Sequence, residues 1–333
     1  MHGVKRTRQS REAEEARKLK EQAKLKDYLL LTEDLLSRKK KKDWSKEAFD
    51  LATKLLHSNP EFYTIWNYRR NILINGIFPS SSVEEINSIL SSDLSLTTSA
   101  LKAHPKVYWI WNHRRWCLEN VPPGPSSPTG EQTQGWRQKN WEREMYVVER
   151  MLDADARNFH AWNYRRYILS LFPTPPPPTQ ELKYTTHKIE SNFSNFSAWH
   201  QRSKILPLIW EKEGKEREEE MRELEFDLVR NALYTDPNDQ SAWLYHRWLI
   251  GPHPDPILLT REITSIQELL SEQPDSKWCM ESLVHYTLLL ISLTPETERE
   301  EMKSECRRLL AELAGVDPCR KNRYQEISER LGV

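Results

Sequence analysis

An all-α fold, an α-α superhelix or crescent of about seven helical hairpin repeats, is predicted by three features of the sequence. A tryptophan-centred motif recurs along the chain, a turn-forming segment precedes each copy, and amphipathic helix-forming stretches fill the intervals. Trp66 opens WNYRR, Trp111 WNHRR, Trp162 WNYRR, Trp199 WHQRS and Trp243 WLYHR, and Trp278 begins a degenerate sixth copy, WCMES. The steps between these tryptophans are 45, 51, 37, 44 and 35 residues. The segments just upstream are HSNPEF, KAHPKV, DADARN, ESNFSN, TDPNDQ and SEQPDS. A seventh unit is expected at VDPCRKNRY, where Tyr324 follows Asp317 as Trp243 follows Asp236.

Each unit reads as two helices. The first is amphipathic, as in SKEAFDLATKLLHSN, where Ala48, Leu51, Ala52, Leu55 and Leu56 share one face. It stops at an Asn-Pro or Asp-Pro turn, because proline lacks an amide donor and biases the preceding residue away from helix. The second helix carries the tryptophan, with arginines three and four residues on, along the same face. A buried tryptophan removes about 150–250 Å² from water, worth roughly 4–6 kcal/mol as an upper bound. The repeated tryptophans are therefore core, and the arginines are inter-helix ties. One hairpin cannot bury its apolar face alone, so stacked neighbours supply a continuous core.

The connectors fit this scheme. Pro-rich segments 121–135, 170–180 and 251–256 read as surface links between units. Residues 1–43 read as a charged, mostly helical leader ending in RKKKK (38–42), and 44–333 as the repeat domain.

Composition narrows the function. Net charge is zero, so nothing global argues for nucleic acid, and glycines number only 9. Four cysteines at 117, 279, 306 and 319 form no C-x-x-C and stand at least 13 residues apart, so neither a zinc knuckle nor a disulfide framework is suggested and reduced thiols in the cytoplasm are expected. The charged opening MHGVKRTRQSREAEEARK has no apolar core of a secretory signal, and no window is long enough to span a bilayer.

Residues 59–75, 104–120, 153–172, 192–210 and 236–250 resemble the repeats of protein prenyltransferase α subunits, most nearly those of the Rab geranylgeranyl type in its short, fungal-like form. NFSNFSAWHQR, TDPNDQSAWLYHRWL and the opening MHG carry the likeness. The resemblance implies an obligate heterodimer with a β subunit that holds a catalytic zinc, this chain binding no metal of its own. It also implies geranylgeranyl diphosphate at the subunit interface, and an escort protein presenting the C-terminal cysteines of a Rab GTPase. Two other readings stay open: the shared α subunit of farnesyltransferase and geranylgeranyltransferase type I, and a non-enzymatic scaffold. Tetratricopeptide-like scaffolds repeat at about 34 residues, shorter than the steps here.

Site residues follow from the same resemblance. Lys106 and Tyr108 would stand at the diphosphate side of the active site, where ammonium and phenol stabilise a leaving anion. Phe159 and His160 would line the substrate pocket. Asn112, His113, Asn163, Tyr164, His200, Tyr245 and His246 are assigned to the subunit interface. His2 would reach the partner's zinc in trans.

Overall fold

The computed structural model describes residues 11–124 and 135–331, and among these it contains fifteen α-helices and no strand. A leader helix, α1 (Arg11–Lys40), is followed by seven hairpins. They pair α2 (Lys46–Ser58) with α3 (Tyr63–Ile72), α4 (Val83–Ala103) with α5 (Tyr108–Asn120), and α6 (Gly135–Ala154) with α7 (Phe159–Leu171). Next come α8 (Pro178–Ser191) with α9 (Phe196–Glu213), and α10 (Lys215–Thr235) with α11 (Gln240–Ile250). The last are α12 (Pro256–Glu272) with α13 (Lys277–Leu293), and α14 (Arg299–Val316) with α15 (Lys321–Arg330). The chain divides into two compact units, Met1–Pro175 and Pro176–Val333, each with its own set of hairpins. No helix among the described residues is long and apolar enough to cross a membrane.

All seven hairpins close through four residues. Side-chain oxygens of Asn59, Asp155, Asn192 and Asp236 each accept the amide two residues on, the Asx turn that stops the first helix. That turn leaves a carbonyl without a backbone partner, and the tryptophan supplies one. The indole N–H of Trp66, Trp111, Trp162, Trp199 and Trp243 donates to the carbonyl six residues upstream at 2.7–2.9 Å. Each motif tryptophan is thus a buried wedge that also ties its own turn.

The sixth copy departs from expectation. Four residues beyond its helix cap, Ser276, stands Met280, 2% exposed, while Trp278 is only half-buried beneath Arg320. A flexible thioether fills the tryptophan's place, two residues later than the sequence suggests. In the seventh hairpin Tyr324 is buried at the equivalent position, its hydroxyl donating to Asp317 at 2.9 Å.

The residue three beyond the tryptophan links hairpins. Arg69 meets Asp93, Arg114 meets Glu144 and Arg202 meets Glu225, each acid lying on the first helix of the following hairpin. His246 holds the same place and meets Glu262 at 3.0 Å. Each arginine also grips its own hairpin's first helix, as Arg69 does at Thr53, Arg114 at Thr97 and Thr98, and Arg202 at Thr185 and Thr186. The acids take a second bond from the helix that follows them: Asp93 from His113 (2.8 Å), Glu144 from Tyr164 (2.6 Å), Glu225 from Tyr245 (2.5 Å). Three helices therefore share each buried carboxylate.

This ladder makes stability acid-sensitive. Burial raises the Asp93 carboxyl, but hydrogen bonds from His113 and Arg69 outweigh it and leave it below the usual range. Burial likewise opposes ionisation of Glu262, and bonds from His246 and charge from Arg230 bring it down to about 2 from an ordinary 4.5. Folded carboxyls then bind protons more weakly than unfolded ones, so protons accumulate on the unfolded chain as pH falls. The urea midpoint is expected to start falling near pH 6.5, because the lowered imidazoles of His113, His160 and His285 take protons less readily than in the unfolded chain. It should fall further between pH 4.5 and about 2. A midpoint that does not move across that window would count against ionised, paired carboxylates.

Candidate functional site

The second helices of the first four hairpins start with an exposed aromatic ring three residues before the tryptophan. Tyr63, Tyr108, Phe159 and Phe196 each open their helix, and all four rings are about half-exposed. Such a residue precedes the turn of helix that packs, so its ring is left to solvent while the tryptophan goes inward. In the first unit these rings have aromatic neighbours: Tyr63 lies 5.1 Å from Trp109, and Tyr108 lies 6.0 Å from Phe159.

Between Tyr108 and Phe159 sits His160. Its imidazole is edge-on to Tyr108 at 4.2 Å, contacts Phe159 at 3.9 Å, and stacks on the face of Trp111 at 6.5 Å. His160 is 6% exposed, against 56% for Tyr108 and 51% for Phe159. Burial lowers its pKa, a bond to the Lys106 backbone raises it, and the Lys106 charge lowers it again. At neutral pH the ring is uncharged and acts as a hydrogen-bonding platform.

Lys106 projects from the turn before α5, its side chain 70% exposed, with Nζ 3.4 Å from Asp155 Oδ2. Asp155 belongs to the next hairpin's turn. The two turns are also joined by Asn158, a buried cap whose Oδ1 accepts from His160 and Ala161 amides while its Nδ2 donates to Pro105 O at 3.2 Å. Pro105 O is the acceptor of the Trp111 indole as well. The backbone that carries Lys106 is thus pinned from both hairpins. Lys106, Tyr108, Phe159 and His160 come together at one edge, beside the N-terminal ends of α5 and α7, and α5 starts without a side-chain cap, so the amides of its first turn favour negative charge.

The other assignments divide. Asn112, Asn163 and His200 are exposed, one turn along from Tyr108, Phe159 and Phe196, and His200 stacks on Phe196 at 6.1 Å. His113, Tyr164, Tyr245 and His246 are instead enclosed by this chain as members of the acid ladder, which leaves their side chains no face for a partner. His2 lies outside the described residues. Sequence reasoning passed over Asp155 and Asn158, visible only as turn letters in DADARN, and Tyr63 and Trp109, which aligning the repeats on their tryptophans would have exposed.

Asp93, His113 and Cys117 bring ligand-type atoms within 4.8 Å of one another, the one such group among the described residues. It does not fit a metal. Arg69 donates twice to Asp93, and Arg70 Nε donates to His113 Nδ1 at 3.2 Å, so a guanidinium holds the charge a cation would take. Burial also pushes the Cys117 thiol far up, away from the thiolate a soft metal requires.

Comparison with known proteins accords with this architecture. The protein prenyltransferase alpha subunit repeat matches at residues 45–75, 90–121, 141–172, 178–209 and 222–251. Geranylgeranyl transferase type-2 subunit alpha of Schizosaccharomyces pombe is 39% identical over 99% of this chain and 98% of that protein. Its Saccharomyces cerevisiae counterpart is 33% identical over 99% of each chain. The human protein of the same name is 33% identical over 75% of this chain, which spans 42% of its length. In fold, a Candida albicans protein geranylgeranyltransferase-I complexed with GGPP aligns at a TM-score of 0.66 over 92% of this chain and 91% of that one, at 21% identity. The chain belongs to the family of geranylgeranyl transferase type-2 alpha subunits.

Proposed function

We propose that this chain is the α subunit of a cytoplasmic, heterodimeric Rab geranylgeranyltransferase, and that its Lys106 edge stabilises the departing diphosphate. On this reading the β subunit holds the zinc and the isoprenoid pocket, and an escort protein presents the Rab tail. A zinc held by the partner would supply the charge that keeps a cysteine of the Rab tail deprotonated. That thiolate attacks C1 of geranylgeranyl diphosphate, a C–S bond forms, and the C–O bond to diphosphate breaks. Negative charge gathers on the leaving oxygens as that bond lengthens. An ammonium and a phenol hydroxyl placed there lower the barrier, because they act more strongly on the transition state than on the ground state.

The observation that carries the reading is the meeting of Lys106, Tyr108, Phe159 and His160 on an edge rich in exposed aromatic rings. Rows of aromatic side chains followed by Asn and Arg have the composition of a protein–protein interface core. They support docking of the β subunit along the second helices.

The test is a heterodimer assay. Co-expressed with its β subunit, the chain is expected to support transfer to a double-cysteine Rab tail rather than to a CaaX tail. Lys106→Ala is expected to slow single-turnover transfer by about tenfold to a hundredfold, below the loss seen for fully enclosed oxyanion donors. Protein-substrate affinity should change little. A single-turnover rate equal to wild type would refute the assignment.

A further inference from the structure

We infer that Asp155 is the releasable counter-ion of Lys106: it holds the ammonium at the mouth of the site when no diphosphate is bound and competes with diphosphate for it. The inference rests on the proposed role of Lys106 and concerns a residue outside the sequence-based assignments.

Three observations carry it. The Asp155 carboxylate divides its two oxygens between two tasks, Oδ1 accepting the Arg157 amide at 3.2 Å and Oδ2 facing Lys106 Nζ at 3.4 Å. The first bond fixes the carboxylate as part of the turn, so its position is set by the fold and not by the lysine. Second, the backbone beside Lys106 is held at Pro105 O by Asn158 and by the Trp111 indole, which leaves the lysine side chain as the free element. Third, the pair is accessible to water, Lys106 at 70% and Asp155 at 37%, so the contact is weak enough to exchange for a more highly charged anion.

A four-carbon stem pivoting on a pinned backbone suits that exchange. With Asp155 as partner, Lys106 stays near Tyr108 and His160 instead of sampling solvent. When diphosphate arrives, its larger charge takes over the ammonium, and Asp155 returns to solvent. After transfer, Asp155 is again available to reclaim the lysine, which favours release of diphosphate. Asp155 is a positioning residue, since it acts only through Lys106.

The experiment uses the complete heterodimer and inorganic pyrophosphate as a competitive inhibitor against geranylgeranyl diphosphate. Asp155→Asn keeps the amide-accepting oxygen and removes the charge. The inhibition constant is expected to fall about two- to fivefold, the range of an exposed ion pair. On a Lys106→Ala background, Asp155→Asn should change nothing. An unchanged constant in the single variant, or the same fall without Lys106, overturns the inference while leaving the role of Lys106 intact. If Lys106→Ala alone leaves pyrophosphate inhibition untouched, the underlying assignment of Lys106 fails instead.

Discussion

Replacing Arg114 with alanine is expected to lower the unfolding free energy by about 3–5 kcal/mol, the cost of stranding one member of a buried ion pair. Arg114 is almost fully enclosed. It donates to Glu144 twice, and to Leu94 O, Thr97 and Thr98 at 2.7–2.9 Å. Without it the Glu144 carboxylate keeps only the Tyr164 hydroxyl, and two hairpins lose their joint. Lysine would not rescue the site, because a point charge cannot reproduce a planar fork reaching both helices. Arg115 is the internal control. It follows in sequence but is exposed and lies over Tyr167 at 4.2 Å, so Arg115→Ala should stay within about 0.5 kcal/mol. Urea unfolding followed by circular dichroism measures both. Equal losses for the two variants would mean that the ladder carries no special share of stability.

Trp66→Ala should cost about as much, roughly 3–5 kcal/mol, through a different route. Its ring is buried, lies 4.7 Å from the His113 ring, and donates to Pro60 O at 2.8 Å. Truncation opens a cavity beside a buried histidine and leaves a turn carbonyl without its donor. Trp66→Phe separates the two effects: the ring volume mostly remains, and the loss should shrink to about 1–3 kcal/mol for the orphaned carbonyl. Trp278→Ala is expected to be far milder, because Met280 occupies the core position in that hairpin. Thermal unfolding that ranks Trp278→Ala with Trp66→Ala would contradict that placement.

The hairpins were legible because a large ring at fixed spacing from an Asx turn leaves a strong local trace. The acid partners were not. Asp93, Glu144 and Glu225 stand 24, 30 and 23 residues from their arginines, on first helices that carry no motif. Connectors of varying length erase any constant offset between an arginine and its acid. The burial of His113, Tyr164, Tyr245 and His246 within this chain was hidden for a related reason. For His113, Tyr164 and Tyr245, two residues beyond the tryptophan lies about 200° round the helix, which a one-sided helix would turn to solvent. His246 stands three residues on, in the place of the ladder arginines. Here the second helix is packed between its own partner and the next hairpin, so it has two buried faces. Tryptophan misled in the sixth repeat for the opposite reason: the most conspicuous residue was not the one that fills the core.

A hairpin such as α4–α5 carries its acid, Asp93, on the first helix and its cation, Arg114, on the second, so successive seams are alike in kind. Excising that whole hairpin would again set an arginine, Arg69, against an acid, Glu144, whereas losing one helix of the pair would strand a buried charge. A whole hairpin, and not a single helix, is therefore the unit by which such an array can be lengthened or shortened without stranding a charge.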